Sequence, residues 1–204
     1  MRFLCLHGLG ANSHVLETQF SAIRYEMDRH HTFHFVEGTE LVPAAAAADS
    51  VSRALVQLHK YLAEEGPFDG AIGFSQGAAL IAMYLLQCSQ DRPNQPLPFQ
   101  CAIFFSASRP FDTAALKDGI VQWAEEPTGT DGPRLNLPTA HIWGSKDVEY
   151  RGQCKVLSGM CDEARRYTFV HGGGHEIPGP RAKEDMHGCV RVIRRIIERA
   201  SVEA

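Results

Sequence analysis

A serine between two glycines is the first feature of this chain that could do chemistry. Residues 71–77 read Ala-Ile-Gly-Phe-Ser-Gln-Gly, which is a G-x-S-x-G pattern. In a nucleophile elbow, such a serine stands on a sharp turn from strand to helix with its hydroxyl exposed for attack on a carbonyl carbon. The alternative is a glycine-bearing turn with an incidental serine. Because an apolar stretch precedes Ser75 and a helix-forming stretch follows it, the pattern favours a nucleophile.

A serine nucleophile needs a general base, which two histidines could supply. His171 ends an apolar segment, and His175 follows it after three glycines. His175 is the better candidate because a loop residue can reach across to the serine, whereas His171 belongs to the strand end. We therefore predict that His175 is the base.

The base in turn needs a carboxylate that holds it in the correct tautomer. Asp147 and Glu149 both follow the apolar segment that ends in Ile142-Trp143-Gly144. Asp147 lies closer to the strand end, although it could be an ordinary turn residue after Gly-Ser-Lys. The order serine, acid, histidine accompanies this type of elbow. We predict Asp147 as the acid and Glu149 as the competing one.

A second glycine loop near the start of the chain could bind an oxyanion. His7-Gly8-Leu9-Gly10 follows a short apolar segment at once. An H-G-x-G sequence in this position resembles the loop that supplies an oxyanion-hole donor in lipases and esterases. The donors would be the backbone N–H groups of Leu9 and Gln76. The alternative is that His7-Gly8 only turns the chain into the next helix, and the loop could do both.

Alternating strands and helices must position these residues. The apolar pattern predicts strands near 2–6, 32–36, 69–74, 101–106, 138–143 and 166–170. Amphipathic or apolar patterns predict helices near 12–27, 49–64, 76–89 and 184–200, with the Pro43–Ala48 stretch before the second. This alternation predicts an α/β fold with a mostly parallel sheet and helices on both faces. The candidate residues would then share the carboxyl edge of the sheet.

Composition narrows the class of protein. The chain has 204 residues, 44% hydrophobic and 22% charged, with a net charge of −4 and a pI of about 6.2. These values predict one domain over residues 1–204, without a nucleic-acid-binding surface or a membrane span. Residues 1–6 are too short for a signal-peptide core, so we expect a cytoplasmic protein with reduced cysteines. No spacing of histidine or cysteine fits a metal site, and we predict neither a metal nor a cofactor.

One segment interrupts the alternation. Residues 107–137 mix apolar residues with prolines and glycines between two predicted strands. We predict a crossover helix near 111–123, followed by a loop at 125–136, and the segment would border an acyl pocket at the active-site edge. The alternative is an ordinary crossover helix with a loose tail. The candidate pocket residues are Phe111, Leu116, Ile120, Trp123 and Ile177.

These motifs together resemble the FSH-type serine hydrolases, which are small eukaryotic α/β-hydrolases frequent in fungi. The resemblance rests on His7-Gly8, on Gly73-Phe74-Ser75-Gln76-Gly77, on Ile142-Trp143-Gly144 with Asp147, and on Gly173-Gly174-His175-Glu176-Ile177-Pro178. It covers nearly the whole chain. It implies an α/β-hydrolase fold with about six strands and a minimal cap, and a triad of Ser75, Asp147 and His175.

The resemblance also implies a class of substrate. Family members include general carboxylesterases and fungal enzymes that release polyketide chains from the acyl carrier domain of a synthase. We therefore expect a serine hydrolase that cleaves acyl thioesters or esters through an acyl-serine and releases a polyketide or fatty acyl chain from an acyl carrier domain in secondary metabolism. The alternatives are a general carboxylesterase of small oxyesters and a non-catalytic binding module. An acidic carrier domain would meet Arg109, Lys117 and Arg134 near the pocket, but not Arg195 or Arg199 on the last helix.

Overall fold

The structure is a computed structural model that describes residues 1–27, 30–38, 48–128 and 134–203. Two segments discussed above lie partly outside these ranges: Pro43–Ala47 of the stretch before the second predicted helix, and residues 129–133 of the predicted loop at 125–136. The strands are β1 (Arg2–Leu6), β2 (Thr32–Val36), β3 (Gly70–Phe74), β4 (Cys101–Phe105), β5 (Thr139–Gly144) and β6 (Arg166–His171). They match the predicted strands to within about a residue at each end.

All six strands pair in parallel, in the order β2-β1-β3-β4-β5-β6. The inner strands β3, β4 and β5 are buried along their whole length. This burial explains their continuous apolar sequences, because helices cover both faces of a parallel sheet. The order reverses between β1 and β3, and such a switch point is where α/β sheets open a crevice at their carboxyl edge. The loops that leave β1 and β3 carry the H-G-x-G sequence and Ser75.

In the described residues, five helices connect the strands and a sixth follows β6: α1 (Ser13–Glu26), α2 (Ala48–Glu65), α3 (Gln76–Asp91), α4 (Thr113–Lys117), α5 (Arg151–Gly159) and α6 (Lys183–Glu203). Alternate strand residues face opposite sides of the sheet, as Leu4 and Phe3 do. On one side, Leu4 packs in a core with residues of α2, α3, α4 and α5. On the other, Phe3 packs with residues of α1 and α6. The predicted two-sided arrangement is confirmed.

The helices differ from the sequence-based expectation in two places. Helix α4 spans only Thr113–Lys117, not 111–123. Its N-cap Asp112 accepts two backbone N–H groups, and Phe111 bridges to Trp123 in an isolated antiparallel pair that turns the chain back instead of continuing the helix. Helix α5 was not predicted at all. It begins with Arg-Gly-Gln and buries only Cys154, Leu157 and Ser158, so its apolar pattern is short.

No helix in the described ranges is both long enough and apolar enough to cross a bilayer.

Candidate active site

Ser75 sits on a strained turn between β3 and α3. Its φ is 53° and its ψ is −116°, a conformation that non-glycine residues rarely adopt. Strain of this kind costs about 1–3 kcal/mol and persists only where the surroundings impose it. Here the Ser75 N–H donates to the Phe105 carbonyl at 2.9 Å, and the Ser75 carbonyl accepts from Ser108 at 3.2 Å. The end of β4 therefore holds the serine in its turn.

Two glycines let neighbouring backbone approach the serine. A Cβ at Gly77 would overlap the carbonyl oxygens of Leu6 and His7, so α3 starts directly against the end of β1. A Cβ at Gly8 would lie 3.0 Å from the Ser75 Cβ. The H-G-x-G loop is thus packed beside the serine, and this contact is the physical reason for glycine at both positions.

Asp147 lies in the loop after β5 and is 4% exposed. Each oxygen of its carboxylate has a donor: Oδ1 accepts from the Tyr150 N–H at 3.1 Å, and Oδ2 is 2.7 Å from Nδ1 of His175. The competing acid, Glu149, is exposed to solvent. Of the two candidate acids, the structure brings Asp147 to the histidine.

His175 lies on the loop after β6, which is tied to the loop of the acid. The Ser145 N–H donates to the His171 carbonyl at 2.8 Å, and the Lys146 N–H donates to the Gly173 carbonyl at 3.0 Å. His171, the competing base, is 1% exposed, and its Nδ1 accepts from the Gly173 N–H at 3.2 Å. Burial lowers the pKa of His171 and keeps it neutral. His171 thus shapes the glycine loop from which His175 reaches outward.

The three predicted residues form one chain of hydrogen bonds. His175 Nε2 is 3.0 Å from the Ser75 hydroxyl, and its Nδ1 is 2.7 Å from Asp147. Since the carboxylate only accepts, Nδ1 carries the proton and Nε2 offers its lone pair to the hydroxyl. Such an arrangement can remove a proton from the serine as it attacks and return it to a leaving group.

The two expected oxyanion donors flank the serine. Gln76 is the first residue of α3, and Leu9 lies on the loop that Gly8 packs against Ser75. His7 fixes this loop: its Nδ1 lies 2.8 Å from the Gly8 carbonyl, and its Nε2 lies 3.0 Å from the Gly38 nitrogen. The planar Gly8–Leu9 peptide turns its N–H away from the carbonyl that His7 holds. The imidazole thereby orients the backbone N–H of Leu9, one of the two expected donors.

Two aromatic residues that the sequence reasoning missed contact His175. The Tyr150 ring lies 4.2 Å from the imidazole between centroids, and the Phe74 ring lies at 5.0 Å. The available signal was their position, since Phe74 precedes the serine and Tyr150 follows the acid by three residues. Partial burial, then the Glu149 and Asp147 carboxylates, raise the pKa of the Tyr150 phenol, so the ring stays neutral near pH 7.

The predicted pocket residues are divided between core and surface. Leu116 and Ile177 are buried, one in each core, and Phe111 packs against the first core. Ile120 and Trp123 are 54% and 47% exposed. The stacked rings of Phe111 and Trp123, with centroids 4.5 Å apart, close the short turn around α4. These residues therefore do not form one continuous apolar lining.

Two surface cavities of about 510 and 480 Å³ lie elsewhere in the described residues. The first is lined by residues of β6 and α6, including Tyr167 and Arg195, and the second by residues of α2. Neither is lined by Ser75, Asp147 or His175, so neither is the site of the hydrogen-bonded chain.

The basic residues predicted to meet a carrier domain are partly engaged already. Arg109 donates to the Ala124 carbonyl and pairs with Glu125, and Lys117 pairs with Asp91. The Arg134 backbone N–H donates to the Met160 carbonyl, a bond that does not involve its guanidinium. Lys146 is exposed next to Asp147, and in the described part of the chain it forms no ion pair. Of these cations, Lys146 is the one nearest in sequence to a residue of the hydrogen-bonded chain.

The comparisons with known proteins agree with this geometry. A family model described as "Serine hydrolase (FSH1)" matches residues 1–54 and 45–186. The chain is 37% identical to "Esterase FPY3" of Fusarium mangiferae over 222 residues, which cover 99% of each protein.

Solved structures share the fold at low identity. A carboxylesterase from Mesorhizobium loti matches with a TM-score of 0.62 and 15% identity over 91% of this chain and 86% of that one. The RedJ thioesterase from the prodiginine biosynthetic pathway of Streptomyces coelicolor matches with a TM-score of 0.59 and 14% identity, over 93% and 85%. The predicted α/β-hydrolase fold and ester-cleaving activity are confirmed: this chain belongs to the FSH1 family of serine hydrolases.

Proposed function

We propose that this hydrolase cleaves its substrate through a covalent acyl-serine formed on Ser75. The observation that supports this mechanism is the continuous hydrogen-bonded chain from Asp147 through His175 to a serine held at positive φ. Ser75 Oγ attacks the acyl carbon while His175 Nε2 takes the hydroxyl proton. The backbone N–H groups of Leu9 and Gln76 hold the oxyanion of the tetrahedral intermediate.

The same groups complete the acylation and then carry out the deacylation. The intermediate collapses, the bond from carbon to the leaving sulfur or oxygen breaks, and His175 gives its proton to that atom. A water molecule then enters, loses a proton to His175 and attacks the acyl carbon. The bond to Ser75 Oγ breaks, the serine recovers its proton, and the free acid leaves. Asp147 keeps the imidazole in its working tautomer and stabilises the imidazolium formed in each half.

The test is labelling with a fluorophosphonate probe, which reacts with activated serines. We expect one labelled site at Ser75 and a loss of turnover of up to about 10⁶ in Ser75→Ala. Ser108→Ala is a control, because Ser108 hydrogen-bonds to the Ser75 carbonyl through its backbone N–H, which the substitution keeps. Labelling or ester hydrolysis that persists in Ser75→Ala would rule out the mechanism.

For the substrate, we propose an acyl thioester carried on an acyl carrier domain of a polyketide synthase. Support comes from the fold shared with a thioesterase of a biosynthetic pathway and from exposed apolar residues on loops after the strands, Leu9, Val148 and Trp123. The alternative proposal is a general carboxylesterase. It is supported by the relative that is named an esterase and is 37% identical to this chain. The two proposals differ in what they predict for chain length and carrier.

The two proposals can be separated with matched thioesters and oxyesters. Their acyl chains would range from two to twelve carbons, and each would be tested free and carrier-bound. For the thioesterase we expect kcat/KM to rise with chain length, because each buried methylene contributes about 0.8 kcal/mol. Lys146→Glu should weaken turnover of the carrier-bound substrate more than that of the free substrate, whereas Lys117→Glu, at a cation already paired with Asp91, should change neither much. Equal turnover of short oxyesters and long thioesters would favour the carboxylesterase.

A further inference from the structure

The imidazole of His175 lies against two aromatic rings, each from the element that supplies one of its partners. Phe74 is the residue before Ser75, and its ring centroid is 5.0 Å from that of the imidazole with an interplanar angle of 47°. Tyr150 follows Asp147 by three residues, and its centroid is 4.2 Å away at 32°. The Tyr150 ring is thus the nearer of the two and the more nearly parallel.

The two hydrogen bonds of this imidazole do not fix its orientation completely. The bonds at Nδ1 and Nε2 fix two ring atoms, and the ring can still tip about the line between them. Its side chain is 30% exposed, and the bonds that tie the preceding glycines to the loop of the acid hold the backbone and not the ring. Contact with a flat, rigid ring removes the remaining freedom.

The same tyrosine also holds the acid. Its backbone N–H donates to Asp147 Oδ1 at 3.1 Å, and Tyr150 is the N-cap residue of α5. One residue therefore contacts the acid through its main chain and the base through its ring. The distance between acid and base then depends on where α5 begins, since α5 sets the position of Tyr150.

The contact gains importance when the imidazole becomes charged. During the proposed reaction His175 is an imidazolium in both tetrahedral steps. A cation within about 6 Å of an aromatic centroid is attracted to the negative face of the ring, more strongly where water is excluded. Neutral imidazole lacks this attraction, so the ring favours the state that resembles the transition state over the ground state.

We propose that Tyr150 is a positioning residue whose ring orients His175 and stabilises its imidazolium form during catalysis. The inference rests on the acyl-serine function proposed above and assigns a part of that site that neither the triad nor the oxyanion hole includes. The aromatic ring is the active feature, and the hydroxyl is dispensable.

The first experiment compares Tyr150→Leu with Tyr150→Phe on a p-nitrophenyl ester. Leucine retains the apolar contact but has no π face, and we expect about a tenfold lower kcat with KM within about twofold. Phenylalanine retains the ring, and its kcat should stay within about twofold of the parent. A Tyr150→Phe variant as slow as Tyr150→Leu would overturn the proposal, because the hydroxyl would then be responsible.

The pH profile provides a readout that simple packing would not change. Neutral His175 is the active base, so protonation sets the acid limb of kcat/KM. Removing a ring that favours the imidazolium should move this limb to lower pH in Tyr150→Leu and leave it in place in Tyr150→Phe. Asp185 of α6 accepts from the Gly172 N–H, and the other charged or ionisable groups along these two loops are Lys146, Asp147, Glu149, His171, Glu176 and Arg181. All of these groups are present in every variant, so a difference between variants arises from residue 150.

Fluorinated phenylalanines at position 150 exclude misfolding as an explanation. Mono-, di- and trifluorinated rings keep nearly the same shape while the negative face weakens at each step. We expect log kcat to fall stepwise along this series and the acid limb to move with it. A flat series, in an enzyme whose activity still requires Ser75, would overturn the role of Tyr150 and leave the proposed function intact. Activity that survives Ser75→Ala would instead overturn the proposed function.

Discussion

At the scale of single residues, Asp147 is distinguished from Glu149 by its bonding. It is buried and accepts from both the Tyr150 backbone and the His175 ring, whereas Glu149 is exposed. An amide in place of the carboxylate would present either a donor or an acceptor to Nδ1. When it presents a donor, the imidazole proton moves to Nε2, which then cannot take the proton of the serine.

We therefore expect Asp147→Asn to lower kcat by about 10⁴ at pH 7, with labelling of Ser75 correspondingly slow. Glu149→Gln removes the same charge two residues away and should retain most of the turnover. Both are measured by steady-state hydrolysis of the same ester, with thermal melting to check the fold. If Glu149→Gln proved the more damaging change, the assignment of the acid would be wrong, although that of the serine would stand.

At the scale of elements, the loop after β1 depends on His7. The imidazole connects the Gly8 carbonyl to the Gly38 N–H of the loop after β2. Loss of an oxyanion-hole donor costs about 10²–10³ in kcat, and loss of its orientation should cost less. We expect His7→Ala to lower kcat by about tenfold with little change in KM.

His14→Ala is the matched control for His7, because His14 is exposed on α1. It should keep both constants within about twofold of the parent. A fall in kcat of the same size in both variants would contradict a specific role for the His7 contacts.

The packing of α6 on β6 depends on the absence of a side chain at Gly188. A Cβ at this position would overlap the ring of Phe169. Overpacking of this kind costs about 1–3 kcal/mol, more than the ~1 kcal/mol that alanine gains over glycine in a helix. We expect Gly188→Ala to lower the free energy of unfolding in urea titrations.

Gly152 in α5 provides the opposite case, since a Cβ there meets no atom within 4 Å. Gly152→Ala should raise the free energy of unfolding by up to about 1 kcal/mol. A stabilising Gly188→Ala would mean that β6 and α6 move apart at little cost.

At the scale of the whole molecule, buried neutral histidines make stability depend on pH. His141 lies within β5 and contacts Thr139, and burial lowers its pKa from 6.5 to about 3. The pKa of His171 is lowered by burial as well. Below pH 6.5 the unfolded chain binds a proton at His141 that the folded chain does not bind. The free energy of unfolding therefore decreases as the pH is lowered, by up to about 1.4 kcal/mol per pH unit for His141.

We expect the free energy of unfolding of the parent to fall between pH 7 and pH 5, and the slope to flatten in His141→Gln. Urea titrations at pH 7, 6 and 5 measure both. His14→Gln, at an exposed position, should leave the slope unchanged. An unaltered slope in His141→Gln would show that another group binds the protons.

Local sequence determined the parts of this protein that depend on neighbouring residues. Glycines on both sides of Ser75 allow a tight turn, and apolar runs mark the strands that end before Asp147 and His175. These signals were sufficient for the fold class and for the residues of the hydrogen-bonded chain. They did not predict α5, whose apolar pattern is short. They also wrongly predicted a helix over 111–123, where Phe111 pairs with Trp123 and turns the chain back.

Tertiary structure decided what depends on contacts between distant segments. Only the strand order places β1 beside β3 and brings Gly8 against Ser75, and only the bonds between the loops after β5 and β6 hold His175 at both its partners. The contact of Tyr150 with the imidazole joins residues 25 apart in the chain, and nothing in either segment alone indicates it. Local patterns specify elements because their interactions are short in range, whereas the distances within the site arise from packing among all six strands.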